Sequence, residues 1–416
     1  MGGGGRDLDI TIYGATGFVG RLAARYLSRV GAGLRIALAG RDEARLRAVR
    51  DALGPRAAGW PVRTAPLTEP DALRALAGGT RVLVSTVGPC SRHGLPLAAA
   101  CAETGTDYAD LTGEVPFVRA CADAHHERAA AGGTRIVHSC GFDSVPSDLT
   151  VWALHRRAAA DGAGELGDTT MVLRAYSGGY AGGSIATMLE LMRLAAADPQ
   201  VRRRLDDPYS LSPDPAAEPD LGPQPDLPLC PGAAVAPELD GLWLGGYLMA
   251  LYNTRCVRRS NALLGWRYGR RFRYREALTM GSGPLAPMIA AAYNAGLAGA
   301  AHHGGDLLRL VPPGLLERML PAPGTGYDAG MRGHYRVETY TTTTSGRRYV
   351  AAMVQQGDPG YTATAVLLGE CALALARDRD RLPRRAGVLT PAVAFGDVLP
   401  ARLADAGVRL EVRELS

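Results

Sequence analysis

The chain has 416 residues, 47% of them hydrophobic and 21% charged, with a formal net charge of +5; these are the proportions of a globular protein too long for one hydrophobic core and long enough for two. All 46 basic residues are arginine, which excludes a Schiff-base lysine, a Walker A phosphate loop and a Tyr-x-x-x-Lys catalytic pair. No arginine run forms a basic tail, so the charge points weakly to anionic ligands and not to nucleic acid.

Apolar and amphipathic runs alternate through the first 150 or so residues, the grammar of βαβ units around a parallel sheet. Strands are predicted at 8–13, 34–39, 61–65, 81–86, 106–111 and 135–139, and helices at 18–30, 42–53 (with Asp42 as cap) and 71–77. From about Gly164 the pattern changes: a strand at 169–177, a Gly-rich loop at 178–183, and a helix at 185–196. Residues 206–237 carry too many Pro and Asp residues for regular structure and read as a flap. Two strands, 333–344 and 347–356, flank Ser345-Gly346 as a hairpin, followed by helices at 361–377 and 393–406. The fold class is therefore α/β: an N-terminal Rossmann domain over 1–160, an α+β domain with an antiparallel sheet over 161–357, and C-terminal helices over 358–416 that pack back on the first domain.

Seven cysteines are scattered without a C-x-x-C pair, and His125-His126-Glu127 lacks the spacing of a helical zinc site, so no metal is expected. Reduced thiols and the lack of an apolar leader core at Met1 to Gly5 suggest the cytoplasm. The uncharged stretch 281–305 is rich in Ala and Gly and too weakly apolar for a membrane span; surface association with a membrane is the less favoured reading.

The chemistry begins at Gly14-Ala15-Thr16-Gly17-Phe18-Val19-Gly20, between the first strand and the first helix. Gly14 permits the tight turn, Gly17 the close approach of a pyrophosphate to the helix N-terminus, and Gly20 close helix–strand packing. The second strand runs into Ala39-Gly40-Arg41. A dinucleotide site for NAD places a carboxylate there; a guanidinium suits the 2′-phosphate of NADPH/NADP instead, the alternative being a solvated helix-start residue. Two further loops lie at carboxyl ends of predicted strands: Thr86-Val87-Gly88-Pro89, and Ser139-Cys140-Gly141 continuing to Asp143 and Asp148. The first should run beside the nicotinamide half of the cofactor and the second should close over the ring. Capping of the following helix is an alternative role for both aspartates, and for Asp148 the preferred one. Cys140 reads as small-residue packing rather than as a nucleophile.

Gly14 to Gly20, Thr86 to Pro89, Asp110-Leu111-Thr112-Gly113-Glu114 and Gly141 to Asp148 resemble the saccharopine dehydrogenase-like oxidoreductases. Asp207-Pro208-Tyr209, Val257-Arg258-Arg259-Ser260-Asn261, Tyr268-Gly269, Phe272-Arg273-Tyr274, Asp358-Pro359-Gly360-Tyr361 and Leu389-Thr390-Pro391 resemble their actinobacterial trans-acting enoyl reductase branch. The resemblance implies NADPH-dependent reduction of a carbon–carbon double bond in a polyketide or fatty acyl thioester delivered by a separate synthase, with the chain carried on an acyl carrier protein. Such a reaction needs donors that stabilise an enolate and protonate the α-carbon. Tyr176, Tyr180, Tyr108, His138 and Asp143 are the candidates. Arg255, Arg258 and Arg259 are candidates for a phosphopantetheine phosphate or an acidic carrier protein, with a solvated basic face as the alternative. An amino-acid oxidoreductase acting at a C–N bond and a non-catalytic NADP-binding or lipid-associated protein stay open beside this reading.

Overall fold

The computed structural model describes residues 6–178, 182–310 and 333–416. Along them run strands β1 (Leu8–Tyr13), β2 (Ile36–Gly40), β3 (Val62–Thr64), β4 (Thr80–Ser85), β5 (Asp107–Ala109), β6 (Arg135–Val137), β7 (Leu166–Ser177), β8 (Cys230–Pro231), β9 (Leu242–Gly246), β10 (Arg273–Ser282), β11 (His334–Thr343), β12 (Arg348–Gln356), β13 (Gly387–Leu389) and β14 (Arg409–Leu415). The helices are α1 (Phe18–Val30), α2 (Glu43–Ala52), α3 (Pro70–Gly78), α4 (Cys90–His93), α5 (Leu95–Thr104), α6 (Val115–Ala131), α7 (Val145–Ala160), α8 (Gly182–Ala197), α9 (Pro199–Asp206), α10 (Ala250–Leu263), α11 (Ala286–Leu310), α12 (Thr364–Arg377), α13 (Pro391–Phe395) and α14 (Val398–Asp405).

The first sheet has the order β13-β6-β5-β4-β1-β2-β3, every pair parallel. Its strands are short continuous apolar runs because helices cover both faces. The order of successive strands reverses between β1 and β4, the switch point at which open parallel sheets bind ligands. The edge strand β13 comes from the far C-terminus, with Val388 opposite Ile136.

The second sheet runs β14-β12-β11-β7-β10-β9-β8. It is mixed rather than antiparallel throughout: β7 and β10 are parallel, with Glu276 opposite Met171. Nearly a hundred residues separate those strands in sequence, room enough for the crossover that a parallel pair requires. The long final strand, β14, alternates exposed Arg409, Glu411 and Arg413 with half-buried Leu410 and Val412 at the sheet edge. The helix expected over 393–406 is two short helices, α13 and α14, broken at Gly396, whose φ of 51° no ordinary helix contains.

Length suggests two cores, but the largest apolar cluster is shared. Ile10, Ile12 and Leu38 of the first sheet join Leu149 and Leu154 of α7, Leu367 and Leu368 of α12, and Met171, Tyr335 and Met353 of the second sheet. Helix α7 and the C-terminal segment lie between the two sheets, so burial of their apolar faces fuses what would otherwise be separate cores. Separate clusters line the outer face of each sheet. Pro359–Arg377 is long and apolar enough to cross a membrane, yet most of it is buried in the protein as part of this shared core. The 281–305 stretch falls largely in α11.

Candidate functional site: a dinucleotide crevice facing the second domain

The glycine loop is built by backbone hydrogen bonds. Gly14 N–H donates to Ala39 O at 3.0 Å, and Gly17 N–H to Gly14 O at 2.9 Å. Gly14 has φ 83°, open to glycine at no steric cost. A Cβ at Gly20 would press into the Gly14 carbonyl oxygen and the Thr86 hydroxyl. Helix α1 starts at Phe18 from an extended Gly17, with no side-chain cap and no acidic residue in its first turn. A helix N-terminus left in this condition presents amide N–H groups and a positive dipole end to an anion. Thr86 Oγ1 donates to Gly14 O at 3.1 Å, tying the second loop to the first.

Arg41 directly follows β2 and is exposed. Neither a hydrogen bond nor an ion pair engages its guanidinium among the described residues. The cradle of small residues, the uncapped helix and this free cation fit an NADP-type dinucleotide.

The loop Thr86, Val87, Gly88, Pro89 has a cis Gly88–Pro89 peptide and leads into α4. Buried Glu114 holds that short helix: its carboxylate accepts from Cys90 N at 2.6 Å and Ser91 N at 2.8 Å, and from the Ser91 hydroxyl. Glu114 thereby caps a helix that has no cap of its own. In sequence Glu114 shows no role, since its partners lie more than twenty residues upstream.

The loop after β6 is pinned at several points. Ser139 takes a left-handed backbone, φ 66°, with its amide on Asp110 Oδ1 and its hydroxyl donating to Thr112 O at 2.8 Å. Tyr252 of α10 shares a hydrogen bond with the same hydroxyl. Cys140 is buried and donates its amide to Asp110 O; burial pushes its thiol up, consistent with packing and not with nucleophilic use. Gly141 lies where a side chain would meet Leu111 and Thr364. Phe142 N–H donates to Thr364 Oγ1 at 3.0 Å, and its ring packs on Tyr335 at 4.5 Å and Tyr176 at 5.9 Å. Tyr361, from the wide turn Pro359–Ala363 before α12, packs edge-on against Phe18 at 4.7 Å. The C-terminal segment thus contacts both the glycine loop and the Ser139–Gly141 loop.

Asp143 and Tyr176 are half-buried on either side of Phe142, Asp143 next to it in sequence and Tyr176 packed against its ring. Burial alone pushes the Asp143 carboxyl up to about 6, the response of a carboxyl removed from water without a compensating cation. Asp148 is buried and acts structurally, accepting from Ser260 Oγ at 2.6 Å and from Ala392 N at 2.7 Å. It therefore caps α13, not the helix on which it sits.

Three expectations are corrected. His138 does not face the crevice: it is buried against Phe117 and Tyr108, with Nδ1 2.8 Å from Asp110 Oδ2. Tyr108 belongs to the apolar cluster on the outer face of the first sheet, away from the second domain. Arg255, Arg258 and Arg259 offer neither a solvated face nor a phosphate site, because α10 is buried on nearly all sides. Arg255 pairs with Asp226 and donates to Leu205 O; Arg258 donates to Pro208 O and Tyr274 O; Arg259 donates to Leu211 O and Val388 O. Burial lowers Arg258 and Arg259 to about 10. Their guanidiniums satisfy carbonyls of the irregular 205–226 segment, which has few backbone donors of its own to offer. Tyr180 lies outside the described residues.

The profile of the saccharopine dehydrogenase NADP binding domain matches residues 10–137, the segment that carries the glycine loop, and supports NADP(H) binding. Over 99% of both chains, the sequence is 58% identical to a Mycobacterium tuberculosis protein named provisionally as a trans-acting enoyl reductase. It is 53% identical to the trans-acting enoyl reductase of Mycobacterium bovis and 52% identical to that of Mycobacterium ulcerans, again over 99% of each chain. A saccharopine dehydrogenase (L-Glu forming) from Saccharomyces cerevisiae has the same fold, with a TM-score of 0.57 over 98% of this chain and 99% of its own at 13% identity. The chain belongs to the trans-acting enoyl reductase family, built on a saccharopine dehydrogenase-like fold.

Proposed function

We propose that this protein reduces the carbon–carbon double bond of an enoyl thioester, taking polyketide or fatty acyl chains from a separate synthase, with the chain presented on an acyl carrier protein. Bound NADPH would supply the hydride for the β-carbon. The glycine loop and the first turn of α1 hold the pyrophosphate, and Arg41 holds the 2′-phosphate. The Ser139–Gly141 loop, stiffened by Asp110, Thr112 and Tyr252, fixes one wall of the nicotinamide end. Tyr176 donates a hydrogen bond to the thioester oxygen as negative charge develops there, and Asp143 delivers the proton to the α-carbon. A carboxyl that titrates near 6 is protonated often enough near neutrality to serve as an acid.

The observation that carries this reading against amino-acid oxidation is the use of Arg255, Arg258 and Arg259. An enzyme that holds an amino-acid carboxylate needs a guanidinium facing the nicotinamide. These three are turned instead onto the protein's own carbonyls and Asp226.

The test is NADPH oxidation against a panel of enoyl thioesters on coenzyme A, pantetheine and loaded carrier protein, with imines and keto acids in parallel. Turnover of an enoyl thioester, faster on the carrier, is the expected result. Turnover confined to imines or keto acids overturns it, and NADPH binding without turnover of any substrate moves the protein to a non-catalytic role.

A further inference from the structure

Glu276 of β10 is a fully buried carboxyl in the second domain that the reaction above does not use. It accepts from the Tyr274 hydroxyl at 2.8 Å and from Asn253 Nδ2 at 3.0 Å, with the Ser147 hydroxyl as a third donor. Among the described residues no guanidinium pairs with it. Asn253, near the start of α10, is buried as completely. Its Nδ2 donates to the Asp143 carbonyl oxygen at 2.6 Å as well as to Glu276, and lies 3.1 Å from Ser147 Oγ. Its Oδ1 accepts from Ser144 Oγ at 2.8 Å.

The hydrogen count fixes the amide. Nδ2 carries two hydrogens, and the Asp143 carbonyl and Glu276 take them; the Ser147 hydroxyl is then free to donate to Glu276. Rotating the amide by half a turn would set Oδ1 against two acceptors, the Asp143 carbonyl and the Glu276 carboxyl, with only the Ser147 hydroxyl left to donate to it. Glu276 therefore dictates which way Asn253 points, and Asn253 holds the Asp143–Ser144 turn at the carbonyl of one residue and the hydroxyl of the next.

We propose that Glu276 and Asn253 form a positioning pair that sets the Asp143 turn against the nicotinamide end of the crevice, so that a carboxyl on the second sheet governs delivery of the proton without touching the substrate. The proposal rests on the role given to Asp143 above. Helix α10 links the two: its Tyr252 holds Ser139 while the adjacent Asn253 holds Asp143, so one rigid element grips both ends of the loop. Positions one ångström out of line cost such reactions about 100-fold.

Glu276→Gln is the decisive variant. It keeps shape but supplies one acceptor oxygen for three donors and adds a donor of its own, so the Asn253 amide loses its fixed orientation. Expected is a fall in kcat of about 10-fold or more, with KM and Kd for NADPH, followed by its fluorescence, within about twofold. Tyr274→Phe removes a donor on the far side of the carboxyl and should leave kcat within about twofold. In Asp143→Asn, adding Glu276→Gln should slow the enzyme no further. Should Glu276→Gln fail to fold, Asn253→Ser is read in the same way. A folded Glu276→Gln enzyme with unchanged kcat overturns the proposal, as does a Glu276→Gln effect that multiplies in full with that of Asp143→Asn. If Asp143→Asn alone keeps wild-type kcat, the acid role fails. The positioning claim is then decided by amide hydrogen exchange over 139–148: faster exchange in Glu276→Gln upholds it and an unchanged pattern overturns it.

Discussion

Arg92 and Glu190 form a bidentate ion pair that joins helix α4 of the first domain to helix α8 of the second, with Nε 2.7 Å from Oε1 and Nη2 2.5 Å from Oε2. Arg92 is half exposed, whereas Glu190 is nearly buried. The pair raises the affinity of Arg92 for its proton, but solvent at the arginine limits what that contributes to stability. Its geometric consequence is larger: α4, seated on Glu114, is tied directly to the element that follows β7.

Arg92→Ala and Glu190→Ala should each cost about 1 kcal/mol of stability, the arginine change slightly more because it strands a nearly buried carboxylate. The double variant should lose less than the sum of the two, with a coupling of about 1 kcal/mol. Urea unfolding midpoints of the four proteins check this; strict additivity would show that the pair is geometrically neat and energetically idle.

Gly20→Ala should strongly weaken cofactor binding while leaving the fold intact. The added methyl group meets backbone, the Gly14 carbonyl oxygen and Ala15 Cα, together with Thr86 Oγ1, so nothing flexible can yield to it. Widening the gap between α1 and the Gly14 turn displaces the amides that face the pyrophosphate. NADPH fluorescence titration should show affinity weakened by about 100-fold or more, which corresponds to roughly 3 kcal/mol, with the far-ultraviolet circular dichroism unchanged.

Arg41→Ala should cost NADPH affinity about 10- to 100-fold, the loss of one charge-assisted contact to phosphate, and leave NADH affinity unaltered. Since the side chain is exposed and engages no described residue, stability should stay within about 0.5 kcal/mol. The ratio of NADPH to NADH dissociation constants is the measurement. An equal loss for both cofactors would place Arg41 away from the 2′-phosphate.

What was legible in the sequence follows the range of each signal. Gly14, Gly17 and Gly20 are read from one strand–turn–helix, a local pattern whose steric reasons act within seven residues, and the parallel sheet follows from continuous apolar runs. Arg255, Arg258 and Arg259 were misread because charge at helical spacing implies a wet face, while the carbonyls that desolvate them come from segments as far away as Val388. Glu276 sits in a strand of mixed polarity, and only tertiary structure shows that three donors meet it. The edge strand β13 is three residues long, too short for periodicity to reveal; its place beside β6 depends on the 361–377 helix carrying the chain back across the first domain. His138 is a candidate donor near the end of the strand predicted over 135–139, but the fold turns it to the opposite face, against Phe117 and Tyr108.

That opposite face gives a pH dependence of a definite sign. Burial disfavours the His138 imidazolium, but the Asp110 carboxylate at 2.8 Å and the neighbouring Cys121 outweigh it and raise the group to about 10, against an ordinary value of 6.5. The folded protein therefore binds this proton more tightly than the unfolded chain does. The resulting stabilisation is fully present below pH 6.5, shrinks as pH rises above that value, and is lost by about pH 10. His138→Gln removes the charge and keeps a hydrogen-bond donor for Asp110. It should lower stability by about 3 kcal/mol at pH 6, where a buried ion pair has been broken, and the gap to wild type should close steadily between pH 7 and pH 10. Unfolding free energies of both proteins across that range test the assignment. A gap that is constant with pH would mean that His138 is neutral in the folded protein, its Nδ1–H donating to Asp110 beside the amides of Thr112 and Ser139.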